Sequence, residues 1–328
     1  MSAALMDVVA MSGPGGPEVL HLAQRPRPQP GPREVLVEVA YAGVNGPDLM
    51  QRRGLYPAPE GASDLLGLEV AGEVVAVGEG ARAWQVGDRV CGLTQGGGYA
   101  RFCTILEDHC LPVPLGMTLA EAASLPEAWF TVWSNIFMTA RLAACEVFLV
   151  HGAAGGLGTV AIQLGKAFGA RVIATDSPAS RLESCKALGA ERVVDYQQED
   201  YVEVVRSEFG GADVILDIVG GPYVQRNMKA ARHDARIVQL AFALGSKVQV
   251  DLMPVMLKRL HYTGSTLRTR PDGFKAEVAR QLRAQVWPLF ESGRLKSVVG
   301  TILPLAEAAQ AHRLMETAGH CGKIVLKT

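Results

Sequence analysis

The sequence lacks a charge imbalance, a basic run and a long apolar stretch. Its 328 residues carry 32 Lys and Arg against 33 Asp and Glu, which leaves a net charge of −1. A near-neutral chain without a basic run gives no electrostatic reason to expect nucleic acid as the main partner. No stretch approaches the roughly 20 apolar residues that a membrane-spanning helix requires. The N-terminus has no basic region and Asp7 interrupts its apolar run, so we expect no signal peptide.

Paired cysteine motifs are also missing. The six cysteines form no CxxC pair and are irregularly spaced; they are Cys91, Cys103, Cys110, Cys145, Cys185 and Cys321. In a chain of this size, scattered cysteines indicate thiols in a reducing compartment rather than a disulfide framework. We therefore predict a cytoplasmic protein.

What is present is a change of pattern along the chain. Up to about residue 124, short Val-rich runs are broken by Gly and Pro, as at 34–44, 67–78 and 88–93. Alternating β-branched residues between turn formers predict antiparallel strands in a barrel-like or partly open sheet. From about residue 125, apolar runs of strand length alternate with segments of helical length; these runs are 147–152, 171–176, 192–196, 212–220 and 236–241. This alternation predicts a parallel sheet that is covered by helices on both faces.

These patterns predict an α/β protein with two domains. A doubly wound domain of the Rossmann type fits residues 125–265, and a β-rich domain fits residues 1–124. After about residue 265 come a long helical stretch (274–292), a strand-like run (298–303), another helix and a final strand at 322–327. We expect this last segment, 266–328, to return to the first domain and complete it.

A glycine-rich turn follows the first strand of the predicted parallel sheet. The segment 151–159 reads HGAAGGLGT, and it opens an amphipathic helix that ends at Gly169. Glycine is needed where backbone approaches a pyrophosphate, and the N–H groups of a helix N-terminus then face the anion. The spacing departs from the plain GxGxxG fingerprint, but the strand–turn–helix context predicts a dinucleotide site. Its residues are Gly152, Ala153, Gly155, Gly156, Leu157 and Gly158.

Asp176 bears on the choice between NADH and NADPH. It ends the next strand, 18 residues beyond Gly158, where an acidic side chain accepts hydrogen bonds from the ribose hydroxyls of NADH. A carboxylate there repels the 2′-phosphate of NADPH, so Asp176 favours NADH. Arg181, one helical turn further on, is placed to meet such a phosphate instead. Asp176 is also placed to act as a helix cap or turn residue before Pro178.

Six separated motifs point to a known family. They are AGVNGPDLMQRRGLYP (42–57), GLEVAGEVVAVG (67–78), GGGYA (96–100), LPEAWFTVW (125–133), HGAAGGLGTVAIQLGK (151–166) and GKIVL (322–326). Their order and spacing resemble the medium-chain dehydrogenase/reductase superfamily, and within it the zeta-crystallin-like NAD(P)H:quinone oxidoreductases. The resemblance covers nearly the whole chain. It implies a GroES-like catalytic domain with an inserted Rossmann domain, and a homodimer that forms through the edge strand of the Rossmann sheet, here 261–266.

The resemblance also argues against a catalytic metal. Zinc-dependent alcohol dehydrogenases of this superfamily use a cysteine and a histidine as ligands, and the matching positions here are Asn45 and Leu68. Glu69 remains, but one carboxylate does not supply the three protein ligands that a catalytic zinc needs. We therefore expect no metal, and alcohol oxidation becomes a poor candidate reaction.

Catalytic candidates come from the segment 45–56. Asn45 and Asp48 follow a strand end, where polar side chains can orient a carbonyl group or cap a turn. Tyr56 matches the tyrosine that is the proposed proton donor of related enoyl-thioester reductases, and its alternative role is packing beside Pro57. The resemblance further implies cofactor contacts by Thr131, Tyr196, Phe242, Arg268 and Lys323.

Three functions compete at this point. The leading hypothesis is zinc-independent, NAD(P)H-dependent reduction of small quinones or enones, in which the resemblance favours NADPH and Asp176 favours NADH. The second is reduction of an α,β-unsaturated thioester. The third is nucleotide binding without turnover, by a structural crystallin-like protein or an RNA-binding protein. The near-neutral charge argues against RNA, and Tyr56 with Asn45 argues against a purely structural role.

Overall fold

The computed structural model describes residues 4–317 and 320–328. Its strands are β1 Leu5–Met11, β2 Leu20–Pro26, β3 Glu34–Val44, β4 Glu69–Val77, β5 Arg89–Leu93, β6 Phe102–Leu106, β7 Cys110–Pro112, β8 Val147–His151, β9 Arg171–Asp176, β10 Arg192–Asp195, β11 Ala212–Asp217, β12 Ala231–Gln239, β13 His261–Gly264, β14 Val299–Pro304 and β15 Lys323–Lys327. Its α-helices are α1 Gly46–Arg52, α2 Leu119–Ala122, α3 Pro126–Val132, α4 Gly156–Ala167, α5 Ala179–Leu188, α6 Tyr201–Phe209, α7 Tyr223–Ala230, α8 Met253–Lys258, α9 Asp272–Gln285, α10 Trp287–Glu291 and α11 Ala308–Glu316. Among the described residues, no helix is long and apolar enough to cross a membrane.

The chain divides into two compact units. Unit 1 extends to Phe130 and resumes at Arg268, and unit 2 is Thr131–Leu267. The predicted domain boundaries, 124/125 and 265/266, lie within a few residues of these limits.

Unit 1 is organised by the long strand β3. Val35, Val37 and Val39 occupy every second position of this strand, so their side chains share one face of the sheet and are buried there. The sheet order is β14-β15-β3-β4-β5-β7, and β6 also pairs with β3. Strand β15 from the C-terminus runs antiparallel to β3, with Ile324 opposite Val44. The C-terminal strand is therefore placed beside the segment that begins at Asn45.

Unit 2 contains a six-stranded parallel sheet of order β10-β9-β8-β11-β12-β13. All residues of β8 are buried, because helices cover both faces of a parallel sheet. The order of the strands reverses between β8 and β11, and ligands of such sheets bind beyond the carboxyl ends of the strands at that reversal. The residues that end β8, β9 and β11 are His151, Asp176 and Asp217.

Two predicted segments differ from the structure. The predicted edge strand 261–266 ends at Gly264. The long helical stretch expected over 274–292 is present as two helices, α9 and α10, that meet at Val286. Pro288 lies in the first turn of α10, where its missing N–H costs nothing; within one continuous helix its ring would clash with the preceding turn.

Candidate active site

A buried polar cluster, Asn45–Glu69–Lys323, lies where β3, β4 and β15 meet. The Asn45 amide nitrogen donates to Glu69 Oε1 at 2.9 Å, and the Asn45 amide oxygen accepts from Lys323 Nζ. Lys323 Nζ is also 2.5 Å from Glu69 Oε1. The other Glu69 oxygen accepts from the backbone N–H of Glu127 at the start of α3. The N-terminus of a helix favours a negative charge, so this contact also stabilises the carboxylate. The three side chains thus satisfy one another, and the positive and negative charges cancel.

Glycine at position 43 makes room for this cluster. A Cβ atom at Gly43 would lie 2.0 Å from Glu69 Oε1, so any larger residue would displace the carboxylate. The pairing of β3 with β4 places Ala42 opposite Val70, so the next residue of β3, Gly43, comes close to Glu69 at the start of β4.

Asp48 is fully buried in the first turn of α1. One of its oxygens accepts from Gly67 N at 3.0 Å, and the other accepts from Asn45 N at 2.8 Å. Burial raises the pKa of the carboxyl to about 6. Both oxygens accept from backbone N–H groups, so we propose that Asp48 positions the Asn45 loop. Of the two roles that the sequence left open, this is the capping role and not the orientation of a substrate carbonyl.

A chain of buried side chains extends from Asp48 to the surface of unit 1. The Tyr99 hydroxyl lies 3.4 Å from Asp48 Oδ2 and 3.2 Å from His312 Nε2. Arg52 Nη1 lies 3.1 Å from His312 Nδ1, and Arg52 also pairs with Glu316. Arginine only donates, so His312 Nδ1 accepts, Nε2–H donates to Tyr99, and the Tyr99 hydroxyl donates to Asp48. Burial, followed by the Arg52 charge, lowers the pKa of His312 to about 3.

Tyr56 lies in the loop after α1 and is partly buried. The Arg268 guanidinium carbon is 5.7 Å from the centroid of the Tyr56 ring, within cation–π range. Arg268 is itself held by Gln51 Oε1 at 2.6 Å and by the carbonyl of Gln95. The resemblance implied a cofactor contact for Arg268. Its contacts in unit 1 indicate that it also fixes the electrostatic surroundings of Tyr56.

The glycine-rich turn in unit 2 has the geometry that a pyrophosphate needs. Gly152 has φ +63°, and a Cβ there would lie 2.5 Å from Ile218. A Cβ at Gly158 would lie 2.4 Å from the Ala153 carbonyl oxygen, so this glycine allows α4 to approach the strand end. Gly155 is the N-cap residue of α4. The residues Gly156, Leu157 and Gly158 form the first turn, whose N–H groups have no acceptor within the helix.

Asp176 and Arg181 form an ion pair beside this turn. Asp176 Oδ1 is 2.9 Å from Arg181 Nε and accepts from Ser177 N at 2.8 Å. Asp176 Oδ2 accepts from Ala154 N at 2.8 Å, which ties the end of β9 to the turn. The two residues that were predicted to favour opposite cofactors are therefore bound to each other, and Asp176 also has the turn-forming role that the sequence left open.

The other predicted cofactor residues of unit 2 have varied settings. Tyr196 and Phe242 are exposed, and Phe242 lies three residues beyond the end of β12. Thr131 is buried; its carbonyl accepts from the Asn135 amide at 2.9 Å, where α3 passes into a wider π-helical segment, Trp133–Thr139. Such segments are frequent at functional sites. These three assignments stay predictions.

Comparison with known proteins identifies the family. A model of the alcohol dehydrogenase GroES-like domain matches residues 31–131, and a model of the zinc-binding dehydrogenase family matches residues 156–283. The chain is 30% identical to mouse quinone oxidoreductase, with 98% of each chain covered. It is 33% identical over 95% of its length to a mycocerosic acid synthase-like polyketide synthase of Mycobacterium tuberculosis, but spans only 15% of that protein.

Solved structures agree with this result. The quinone oxidoreductase of Escherichia coli complexed with NADPH has a TM-score of 0.87 at 29% identity, with 99% of this chain and 100% of that chain covered. The CurK enoyl reductase has a TM-score of 0.87 at 28% identity, and an NAD-dependent alcohol dehydrogenase has 0.88 at 32%; each comparison covers 98% of this chain and 99% of the other. The chain therefore belongs to the medium-chain dehydrogenase/reductase superfamily, among the zeta-crystallin-like quinone oxidoreductases. It is an oxidoreductase of this superfamily, and unit 2 has the NAD(P)-binding Rossmann fold.

The residues at the metal-ligand positions do not fit a catalytic zinc. Leu68 is apolar and buried, and Asn45 and Glu69 are engaged with Lys323. No group of three or more His, Cys, Asp or Glu side chains suited to a metal occurs in the described part of the chain.

Some buried contacts next to the candidate site had no signal in the sequence. Tyr99 lies within the motif GGGYA, but its hydroxyl contact with His312 joins residues 213 positions apart. His312 lies 260 residues from its partner Arg52, and no local pattern reveals that pairing. Periodicity reports the face on which a residue lies and not the partner that it meets there.

The neutral state of His312 predicts a pH dependence of stability. Its pKa in the folded protein, about 3, is below the ordinary 6.5. Neutral His312 therefore adds stability that is fully present above pH 6.5 and is lost as the pH falls toward 3. Between pH 7 and pH 5 this group alone removes about 2 kcal/mol from the free energy of unfolding.

The matched variant is His312→Gln, which keeps a donor and an acceptor but does not titrate. The free energy of unfolding of both proteins is measured with urea from pH 7.5 to pH 5. We expect it to fall less with decreasing pH in the variant than in the wild type. Asp48 titrates in the same range with the opposite sign, but it is present in both proteins and cancels in the difference. Parallel curves for the two proteins would contradict a neutral, buried His312.

Proposed function

We propose that this chain is a zinc-independent reductase that uses NADH or NADPH to reduce small quinones or related α,β-unsaturated carbonyl compounds. The observation that carries the proposal is the Asn45–Glu69–Lys323 cluster. Asn45, at a position where zinc-dependent relatives have a metal ligand, and the neighbouring carboxylate of Glu69 are bound to each other and to Lys323. Without three ligands for a metal that polarises an alcohol, reduction of an acceptor that is already electron-poor becomes the better-supported reaction.

The proposed reaction needs a dinucleotide site and a proton donor. The Gly152–Gly158 turn would bind the pyrophosphate, and the reduced nicotinamide supplies a hydride when bound. Tyr56 would donate a proton to the second quinone oxygen, or to the α-carbon of an enone. Hydride and proton together convert a quinone to the hydroquinone. The guanidinium of Arg268 beside the Tyr56 ring stabilises the phenolate that remains.

An enoyl thioester is the second candidate substrate. The similarity to the CurK enoyl reductase and to a polyketide synthase favours it. The two substrates need the same hydride and the same proton donor, so the site chemistry does not separate them. A direct comparison of the turnover rates with the two acceptors distinguishes them.

The cofactor preference rests on Asp176. Its carboxylate is held in place by two backbone N–H groups as well as by Arg181. A 2′-phosphate would have to approach this carboxylate and compete with it for Arg181. We therefore propose that the wild-type protein has a higher kcat/KM for NADH than for NADPH.

A second copy of this chain is the proposed partner. Strand β13 is the edge strand of the unit 2 sheet and pairs only with β12 among the described strands. Exposed apolar side chains lie in and beside this edge: Leu252, Met253, Met256, Leu257 and Tyr262. An edge strand flanked by apolar side chains is suited to pairing with the same edge of another copy.

A cytoplasmic location is proposed from the cysteines. Cys91, Cys103 and Cys110 are buried in unit 1, and burial raises the pKa of Cys103 to about 12. Such thiols are poor nucleophiles, which suits a structural role in a reducing compartment.

The first test is turnover. Purified protein should oxidise NADH or NADPH, followed at 340 nm, when it is given 1,2-naphthoquinone or 9,10-phenanthrenequinone, and faster than with a crotonyl thioester. Tyr56→Phe should lower kcat by about 10²-fold or more, because a general acid is lost. Tyr41→Phe in β3, outside the Asn45–Tyr56 segment, is the matched control and should keep full activity.

Three results would alter the proposal. Faster turnover of the thioester would favour the enoyl reductase. Dinucleotide binding without turnover of any acceptor would favour a non-catalytic protein. Full activity of Tyr56→Phe would remove Tyr56 as the proton donor.

The second test is the charge of Asp176. Asp176→Asn keeps the shape and one acceptor but removes the charge that repels a 2′-phosphate. We expect the ratio of kcat/KM for NADPH to that for NADH to rise about tenfold, which corresponds to ~1.4 kcal/mol. Glu183→Gln, an exposed position on the same helix as Arg181, is the control for a general change in charge. An unchanged ratio in Asp176→Asn would show that another residue selects the cofactor.

The third test is the oligomeric state. Light scattering at micromolar concentration should give twice the chain mass of 34.9 kDa. Met256→Glu or Leu257→Glu should raise the dimer dissociation constant at least tenfold, because a charge replaces an apolar contact. Leu115→Glu, at an equally exposed apolar residue of unit 1, is the control. Wild-type protein that is monomeric at these concentrations contradicts the proposed dimer.

A further inference from the structure

A second buried polar chain lies beneath the dinucleotide turn in unit 2. The His151 chain consists of Thr175, His151, Asn227 and Asp217, all buried. Three of its members belong to the carboxyl ends of parallel strands: His151 ends β8, Thr175 is the penultimate residue of β9, and Asp217 ends β11. The catalytic scheme above uses none of them.

The direction of each hydrogen bond in the chain is fixed by chemistry. The Asn227 amide nitrogen donates to Asp217 Oδ2 at 2.9 Å, so the Asn227 amide oxygen faces His151 Nε2 at 2.8 Å. An amide oxygen only accepts, so His151 Nε2 bears the proton and Nδ1 accepts from the Thr175 hydroxyl at 2.7 Å. Burial lowers the pKa of His151, which keeps the ring neutral as this arrangement requires.

Asp217 connects the His151 chain to the backbone of the next loop. Its other oxygen accepts from Val219 N at 2.6 Å and from Gly220 N at 3.0 Å, in the loop that follows β11. At the opposite end, Thr175 precedes Asp176, which accepts from Ala154 N in the glycine-rich turn. The His151 chain therefore links three loops that surround the reversal of strand order, where a dinucleotide binds in this type of sheet.

Aromatic packing holds the imidazole in place. The rings of Tyr201 and Tyr223 pack edge-on against His151, with centroids 4.8 Å and 4.9 Å away. The Tyr201 hydroxyl also donates to the Asn227 amide oxygen at 2.9 Å. Tyr201 is the first residue of α6 and ends none of the three strands, so it shares an acceptor with His151 without joining their loops.

We propose that His151 is a positioning residue for the dinucleotide, because it holds the carboxyl ends of β8, β9 and β11 in the arrangement that the cofactor requires. The inference rests on the proposed function. His151 precedes Gly152 and is fully buried, so it would act through the three loops rather than by contact with substrate or cofactor. Its loss therefore weakens cofactor binding and leaves the chemical step alone. Small displacements of loops that bind a ligand have large effects on affinity.

Four variants separate the links of the chain. His151→Leu removes both hydrogen bonds. His151→Asn keeps an acceptor near Nδ1 for Thr175, and His151→Gln keeps a donor near Nε2 for Asn227. Thr175→Val removes only the link to β9, at nearly constant volume. The control is Tyr201→Phe, which removes a hydrogen bond to the same Asn227 oxygen and keeps the ring.

The measurements are the Kd of NADH and NADPH by nicotinamide fluorescence, the KM for the cofactor, kcat at saturating cofactor, and thermal stability. We expect His151→Leu to raise Kd and KM about tenfold while kcat changes less than twofold. For His151→Asn, His151→Gln and Thr175→Val, we expect Kd and KM values between those of the wild type and those of His151→Leu. Tyr201→Phe should lower stability and leave Kd unchanged.

Each outcome decides the inference. If His151→Leu does not fold, the Asn, Gln and Val variants give the same comparison. Unchanged Kd in the folded variants, or an equal rise of Kd in Tyr201→Phe, assigns His151 a role in stability alone and overturns the proposal. A wild-type chain that binds neither dinucleotide overturns the proposed function, and this inference with it.

Discussion

The structure of unit 1 depends on the buried contact between Lys323 and Glu69. Removing one partner of such a pair leaves an uncompensated charge in the interior, which typically costs about 3–5 kcal/mol. Here the pair also sets geometry. Lys323 begins the last strand and Glu69 begins β4, and Asn45 directly follows β3 as the N-cap residue of α1. The same contact that neutralises the two charges thus fixes the C-terminal strand, the start of α3 and the loop that leads to Tyr56.

Both units use a buried carboxylate to hold backbone N–H groups of a functional loop. In unit 1, Asp48 accepts from the N–H groups of Asn45 and Gly67. In unit 2, Asp217 accepts from the N–H groups of Val219 and Gly220. Each carboxylate is reached by a histidine through one intermediate side chain, and each histidine has a lowered pKa because of burial. A neutral imidazole donates at one nitrogen and accepts at the other. It therefore keeps all hydrogen bonds of the chain in one donor-to-acceptor order without adding a charge.

The parts of this structure that the sequence predicts are those that local physics determines. Alternation of Val residues locates β3 over 34–44, as the structure has it, and the glycine-rich turn opens a helix at Gly156. The break between α9 and α10 is marked by Pro288, which is visible in the sequence, but the predicted helical stretch over 274–292 did not locate it. The contact of Lys323 with Asn45 spans 278 residues. No local pattern reports it, because it depends on the register of β15 against β3.

The neutral polar cluster also bears on the class of substrate. A metal ion in a dehydrogenase site draws electron density from a substrate oxygen and so activates a molecule that is not reactive by itself. The positive charge of Lys323 is already matched by Glu69, and its ammonium donates to Asn45 and Glu69 inside the protein. For the proposed reaction, the reactivity toward hydride then comes from the acceptor itself. Quinones and conjugated carbonyl compounds are electron-poor without assistance, and they need from the protein only a hydride donor in place and a proton such as that of Tyr56. The arrangement that removes the metal ligands therefore narrows the proposed substrates to compounds that accept hydride unaided.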